Sequence, residues 1–173
     1  MTRQWRTILI GSVLALCAER ASGQCNSSGF PSSCAQTRSW SVVVQPTVRV
    51  TVPQAVVTLT NPDATDFTNG FSIAFGHSAV INANSSWQLL ISSSQALWTA
   101  GAGGRSDKPQ GDLLWGLSSG GSFTAVTGSP TQVTTGSATN ATSVSIYYKV
   151  LWVWNLDIPG TYSLPVTLTI SAP

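Results

Sequence analysis

The feature that most constrains this chain is a two-residue alternation of apolar and polar side chains, carried largely by β-branched residues and broken by turn formers. In the run Thr47 to Val52, Val48, Val50 and Val52 alternate with Thr47, Arg49 and Thr51. Thr142 to Trp154 is longer, with Val144, Ile146, Tyr148, Val150, Trp152 and Trp154 sharing one parity. Tyr162, Leu164, Val166, Leu168 and Ile170 alternate in the same way with Ser163, Pro165, Thr167, Thr169 and Ser171. Successive side chains of a strand point to opposite faces, so this pattern builds half-buried strands and not the 3.6-residue stripe of an amphipathic helix. After residue 23, apolar residues nowhere recur at helical spacing over three turns. Many short strands with frequent turns predict an all-β fold, a single antiparallel Ig-like β-sandwich.

Pro46 and Pro53 bracket the first run, which suits an edge or first strand. Further strands are expected at 55–60, 70–75, 79–82, 87–92, 112–117, 122–127 and 131–135. Turns fall at Asn61-Pro62-Asp63 and Asn69-Gly70, and a Gly-rich loop spans 99–111 and carries Arg105, Asp107 and Lys108. Ile158-Pro159-Gly160-Thr161 fits a type II turn. It predicts that the two C-terminal runs pair as an antiparallel hairpin.

Residues 1–23 have the three-part layout of a secretory signal peptide: Arg3 and Arg6, an apolar run from Ile8 to Leu16, and small residues at Ala21-Ser22-Gly23. The run is shorter than the ~20 residues a membrane span needs, so no membrane span is expected. The organisation that follows is a cleaved signal at 1–23, a polar arm at 24–39 and a sandwich domain at 40–173. Export places the chain outside the cytoplasm, secreted or at the cell surface. There Cys25 and Cys34 are expected to close a local disulfide. Without the signal, Arg38, Arg49, Arg105, Lys108 and Lys149 face Asp63, Asp66, Asp107, Asp112 and Asp157, a formally neutral balance. Ser and Thr make up roughly a quarter of the chain. A neutral, hydroxyl-rich surface has no field to gather nucleic acid.

The residues that could carry chemistry are few. His77 is the only histidine, with no Gly-x-Ser-x-Gly elbow nearby, and it reads as a turn or surface residue. No glutamate follows residue 23, which leaves little for paired-carboxylate hydrolysis. No phosphate loop or dinucleotide fingerprint occurs. The reading is therefore no enzyme, no catalytic residue and no cofactor. No metal site is assigned. The nearest candidate is a calcium loop from Asp63, Asp66 and Asn69 with Asn61, residue types that equally make ordinary turns. Trp87, Trp152 and Trp154 lie on apolar faces and are expected in the core. Trp98 and Trp115 flank the Gly-rich loop and are the candidate platforms for glycan stacking.

Two segments resemble the WxL family of bacterial surface proteins. One is Trp87-Gln88-Leu89, within Asn84 to Ile91. The other is the ending Gly160-Thr161-Tyr162 through Leu168 to Ala172-Pro173. Leu168 stands where that family has its second Trp, and Ile170 where it has Leu. The resemblance implies a secreted β-sandwich held non-covalently at the cell wall, without catalysis. The ending is also similar to pilin-like and spore-coat-U-like secreted sandwiches. The expected function is a non-catalytic secreted or cell-surface structural or adhesive protein, whose partner is a cell-wall or extracellular polymer or copies of itself. The alternatives are a polymerising pilus or fibre subunit joined by strand addition, and a carbohydrate-binding module.

Overall fold

The structure is a computed structural model that describes residues 34–173. The chain divides into two compact units, Met1–Val43 and Val44–Pro173. In the first, the described residues 34–43 are exposed and carry no regular secondary structure. Cys34 is disulfide-bonded. The expected signal peptide and Cys25 lie outside the described residues.

The second unit is all-β and antiparallel, with a sandwich-like fold. Its strands are β1 (Val48–Thr51), β2 (Phe71–Ala83), β3 (Trp87–Ser92), β4 (Thr99–Ala100), β5 (Leu113–Gly116), β6 (Thr124–Ala125), β7 (Thr131–Gly136), β8 (Thr139–Leu151), β9 (Tyr162–Ser163) and β10 (Thr167–Ser171). One sheet has the order β1-β2-β8-β5-β6, a second β10-β3-β7, and β4 pairs with β9 in a short third sheet. A helix of six residues, α1 (Ala64–Asn69), precedes β2. No helix among the described residues is long and apolar enough to cross a membrane.

The alternating residues do what their period requires. Ala79, Ile81, Val144, Ile146, Tyr148, Val150, Leu113 and Trp115 of the large sheet form one buried cluster with Trp87, Leu89, Ile91 and Val133 of the three-stranded sheet. Removing that apolar area from water, at ~25 cal/mol per Å², is what holds the two layers together. The Trp87 ring lies over Gly136, where a Cβ would collide with it, and its Nε1 donates to Ser137 O at 2.9 Å.

Three expectations about the strands are corrected. The two strands expected at 70–75 and 79–82 are one 13-residue strand, β2, with an extra residue at Gly76, between the pairs Phe75–Tyr147 and His77–Ile146. No strand forms at 55–60, although Leu59 packs on the core. The C-terminal hairpin does not form: β8 pairs with β2 and β5, whereas β10 pairs with β3. Alternation fixes a strand's faces and not its neighbour, and both runs needed a buried partner with its own apolar face. Nor does Gly160 take the positive φ that the third position of a type II turn demands. A Cβ at Gly160 would stand 2.5 Å from Gly104 Cα. The glycine lets the Gly-rich loop approach the Pro159-Gly160 backbone.

Candidate functional site

The extra residue in β2 creates the most distinctive surface of the sandwich. Past Gly76, His77, Ala79 and Ile81 point inward and are buried. Before it the parity is reversed. Ser72 and Ala74 lie opposite the inward-facing Val150 and Tyr148, so Phe71, Ile73 and Phe75 fall on the outer face. A bulge switches the face a strand presents, and here it turns three large apolar side chains outward. The inner positions are small because other side chains occupy the space. A Cβ at Gly76 would collide with the Tyr148 ring, and Trp152 Nε1 donates to Ser72 Oγ at 2.8 Å.

Pairing lines up this outer face in rows. Phe71 lies opposite Leu151, Ile73 opposite Lys149 and then Leu114, and Phe75 opposite Tyr147 and then Gly116. The Phe75 and Tyr147 rings meet edge to face at 5.4 Å, and Phe75 is 53% exposed. Lys149 Nζ sits 3.8 Å from the centroid of Phe71 and 6.0 Å from that of Phe123. The absence of a side chain at Gly116 leaves room for the Phe123 ring, whose Cδ1 would lie 3.2 Å from a Cβ there. The result is a solvent-facing aromatic surface on a sheet, with one amine held over the rings by cation–π attraction.

A second centre lies at the Gly-rich loop. Lys108 is 0% exposed, and its Nζ donates to Leu151 O at 2.7 Å, Asp157 Oδ1 at 3.0 Å and Asp112 Oδ2 at 3.1 Å. The Trp152 ring covers the same amine at 4.7 Å. The Asp157 side chain, 1% exposed, also receives Arg105 Nη1 at 3.3 Å and Val153 N–H, which donates to Oδ2 at 2.7 Å. Arg105 also binds Asp107 through Nε at 2.7 Å. That hydrogen bond holds the Asp107 carboxyl below its ordinary range and the guanidinium above its own. Tyr162 Oη closes the loop, donating to Ile158 O at 2.6 Å and accepting from Arg105 N at 2.9 Å.

Several expected sites are placed differently. Trp98 and Trp115 are 8% and 7% exposed and present no face to a glycan, because Trp115 sits in the inner row opposite Tyr148 and Trp98 joins the core cluster. Their Nε1 atoms have no hydrogen-bond partner among the described residues. Trp154, expected in the core, is exposed and stacks on Phe67 at 4.8 Å, because β8 ends at Leu151. Trp152, as expected, packs on the core.

The calcium candidates are helix caps. Asp66 N donates to Asp63 Oδ1 at 2.9 Å and Asp63 N to Asp66 Oδ2 at 3.1 Å, a reciprocal capping box. Asn69 is the last residue of α1, before Gly70 at φ 78. His77 is not at a turn or on the surface. It is buried in β2 beside Tyr148, with neither ring nitrogen hydrogen-bonded among the described residues, and burial lowers its pKa. Burial also pushes the Tyr148 hydroxyl up to about 12. The segments resembling the WxL family lie side by side: Ile170 pairs with Leu89, Ser171 with Gln88 and Leu168 with Ile91. Trp87 and Leu89 are buried there.

The aromatic outer face was missed in the sequence because 70–75 and 79–82 read as two separate strands with His77 in a turn between them, which leaves no bulge to reverse the face of Phe71, Ile73 and Phe75. Gly76, between the two runs, was the signal of that bulge. The ion centre was missed because its members lie 49 residues apart, from Lys108 to Asp157. No protein-family model matches this chain, and no curated protein matches it at a significant level.

Proposed function

We propose that this protein is a non-catalytic extracellular structural or adhesive protein that attaches to a surface or matrix polymer through the aromatic outer face of its large sheet. The observation that carries the reading is the exposed Phe75 against the half-buried Tyr147, continued by Phe71, Ile73 and Phe123. Folded monomers rarely leave large aromatic surface uncovered without a contact role. Flat rings suit the CH faces of sugar residues, so a wall or matrix polysaccharide is the partner of choice. The titratable groups that a hydrolase would use are committed elsewhere: Asp63 and Asp66 cap a helix, Asp157 and Asp112 hold Lys108, and His77 is enclosed. Wall attachment is also what the resemblance to WxL proteins implies.

The test is sedimentation of the purified protein with insoluble wall and matrix polysaccharides. Wild type is expected in the pellet. Phe75→Ser combined with Tyr147→Ser should weaken binding about tenfold or more, the equivalent of about 1.4 kcal/mol, with an unchanged melting temperature. Equal retention of the double variant would remove this face from the attachment.

A second reading, a fibre subunit joined by strand addition, is favoured by a separate observation. Trp40, Val42, Val43 and Val44 form a β-prone apolar segment that is exposed throughout, Trp40 at 91%. An extended segment of this kind can add to a sheet edge of another copy through main-chain hydrogen bonds. Electron microscopy of the concentrated protein decides it, and monodisperse monomers at all concentrations count against polymerisation.

A further inference from the structure

The ion centre at the Gly-rich loop is independent of the proposed attachment surface, and its geometry is that of a reaction waiting on one bond. A primary amine with no exposed surface faces a carboxyl group that is itself almost entirely enclosed, at 3.0 Å, and a second carboxylate stands 3.1 Å from the same nitrogen. A buried ion pair recovers little of its desolvation cost from Coulomb attraction alone, and a fully enclosed lysine is rare. Enclosure also does something a solvated pair cannot do. It holds nucleophile and electrophile together and excludes the water that would compete or reverse the step.

We propose that Lys108 and Asp157 join in an intramolecular amide bond between Nζ and Cγ. The Nζ lone pair attacks Cγ of Asp157. Val153 N–H, 2.7 Å from Oδ2, is placed to stabilise the negative oxygen of the tetrahedral intermediate, and Arg105 Nη1, 3.3 Å from Oδ1, faces the oxygen that leaves. Of the three protons of the ammonium group, one passes directly to the Asp157 oxygen that leaves, and a second passes to it through the Asp112 carboxylate. The C–O bond breaks and that oxygen departs as water. The third proton stays on the amide nitrogen, with Leu151 O at 2.7 Å from Nζ to accept it. Ammonium and carboxylate become amide and water, with no redox change and no co-reactant. The bond ties the Gly-rich loop to the segment that follows β8, across 49 residues of chain. A cross-link of that kind suits a protein that bears load outside the cell.

The experiment is peptide mapping of the folded, full-length protein by mass spectrometry. Trypsin cuts after Arg105 and Lys149, which places Lys108 in the peptide 106–149 and Asp157 in the peptide 150–173. The expected result is one linked species whose mass is the sum of the two peptides less one water, the water lost on forming the amide. Its fragment ions should join Lys108 to Asp157. Asp157→Ala should abolish the linked species, and Asp157→Asn should restore it with loss of ammonia in place of water. Asp112→Asn should lower the linked fraction severalfold, and full linkage in that variant would overturn the proton-transfer role of Asp112. The wild-type map needs no variant to fold. If the two peptides appear only as separate species after prolonged incubation of the native protein, the bond does not exist and the centre is an ion cluster.

Discussion

Gly76 controls more of this molecule than its size suggests. It sits where β2 gains a residue over β8, and the Tyr148 ring occupies the space a Cβ would need. Gly76→Ala should therefore destabilise the fold by about 1–3 kcal/mol through overpacking. Chemical denaturation measures this, and an unchanged midpoint would mean that the ring can move aside freely. His77, the next residue, adds a pH dependence. Its folded pKa lies below the 6.5 of the free side chain because burial disfavours the imidazolium. Between those two values the unfolded chain holds more protons than the folded one. The contribution of His77 to stability is thus complete above 6.5, declines as the pH falls through 6.5, and levels off below the folded value. The melting temperature should be lower at about pH 5 than at about pH 7.5, and His77→Leu should flatten that difference. Tyr148, the aromatic neighbour of His77, titrates at about 12 and stays neutral throughout. The place of Tyr148 on an apolar face was legible in the sequence, and the role of His77 was not. A lone histidine among small residues looks like a turn, and only the bulge reveals that it faces the core.

Elements were readable where one face is buried and unreadable where the partner matters. β3 and β8 emerge from alternation alone, since Trp87, Leu89 and Ile91, or Val144 through Val150, need no knowledge of the neighbouring strand to be placed inward. The pairing of β8 with β2, and of β10 with β3, depends on contacts far apart in sequence that period-2 patterning does not encode. The region before β2 shows the same limit for short elements. Asn61 to Gly70 has turn-forming composition, and its carboxylates suggested a cation. Their oxygens instead accept from the first-turn backbone of α1, which a six-residue helix needs because its end N–H groups lack partners within the helix. Asp63→Ala should then cost about 1 kcal/mol of stability. Addition or chelation of calcium should leave the melting temperature of the wild type unchanged, as differential scanning fluorimetry would show. A calcium-dependent rise would return these carboxylates to the role of ligands.

At the scale of the whole molecule, two of the stretches of exposed apolar surface among the described residues bear on the proposed contacts. One is the outer face around Phe75 and Tyr147, within the unit Val44–Pro173. The other is the segment Trp40 to Val44. The two make different demands on the chain and can be separated by deletion. The ten strands found among the described residues, and the buried cluster, lie in the unit from Val44 onward. A chain reduced to Val44–Pro173 should keep its β-type circular dichroism and its cooperative thermal unfolding. If copies associate by strand addition through the Trp40 segment, the shortened chain should sediment as a monomer under conditions where the longer one forms oligomers. It should also still bind polysaccharide through the aromatic face. Because that face carries a single cation among uncharged rings, its binding should persist at about 1 M salt, where the Debye length is ~3 Å. Polysaccharide binding lost on deletion would assign attachment to the Trp40 segment instead. Oligomers that survive deletion would place self-association on the sandwich, where the neutral surface offers little repulsion to oppose it.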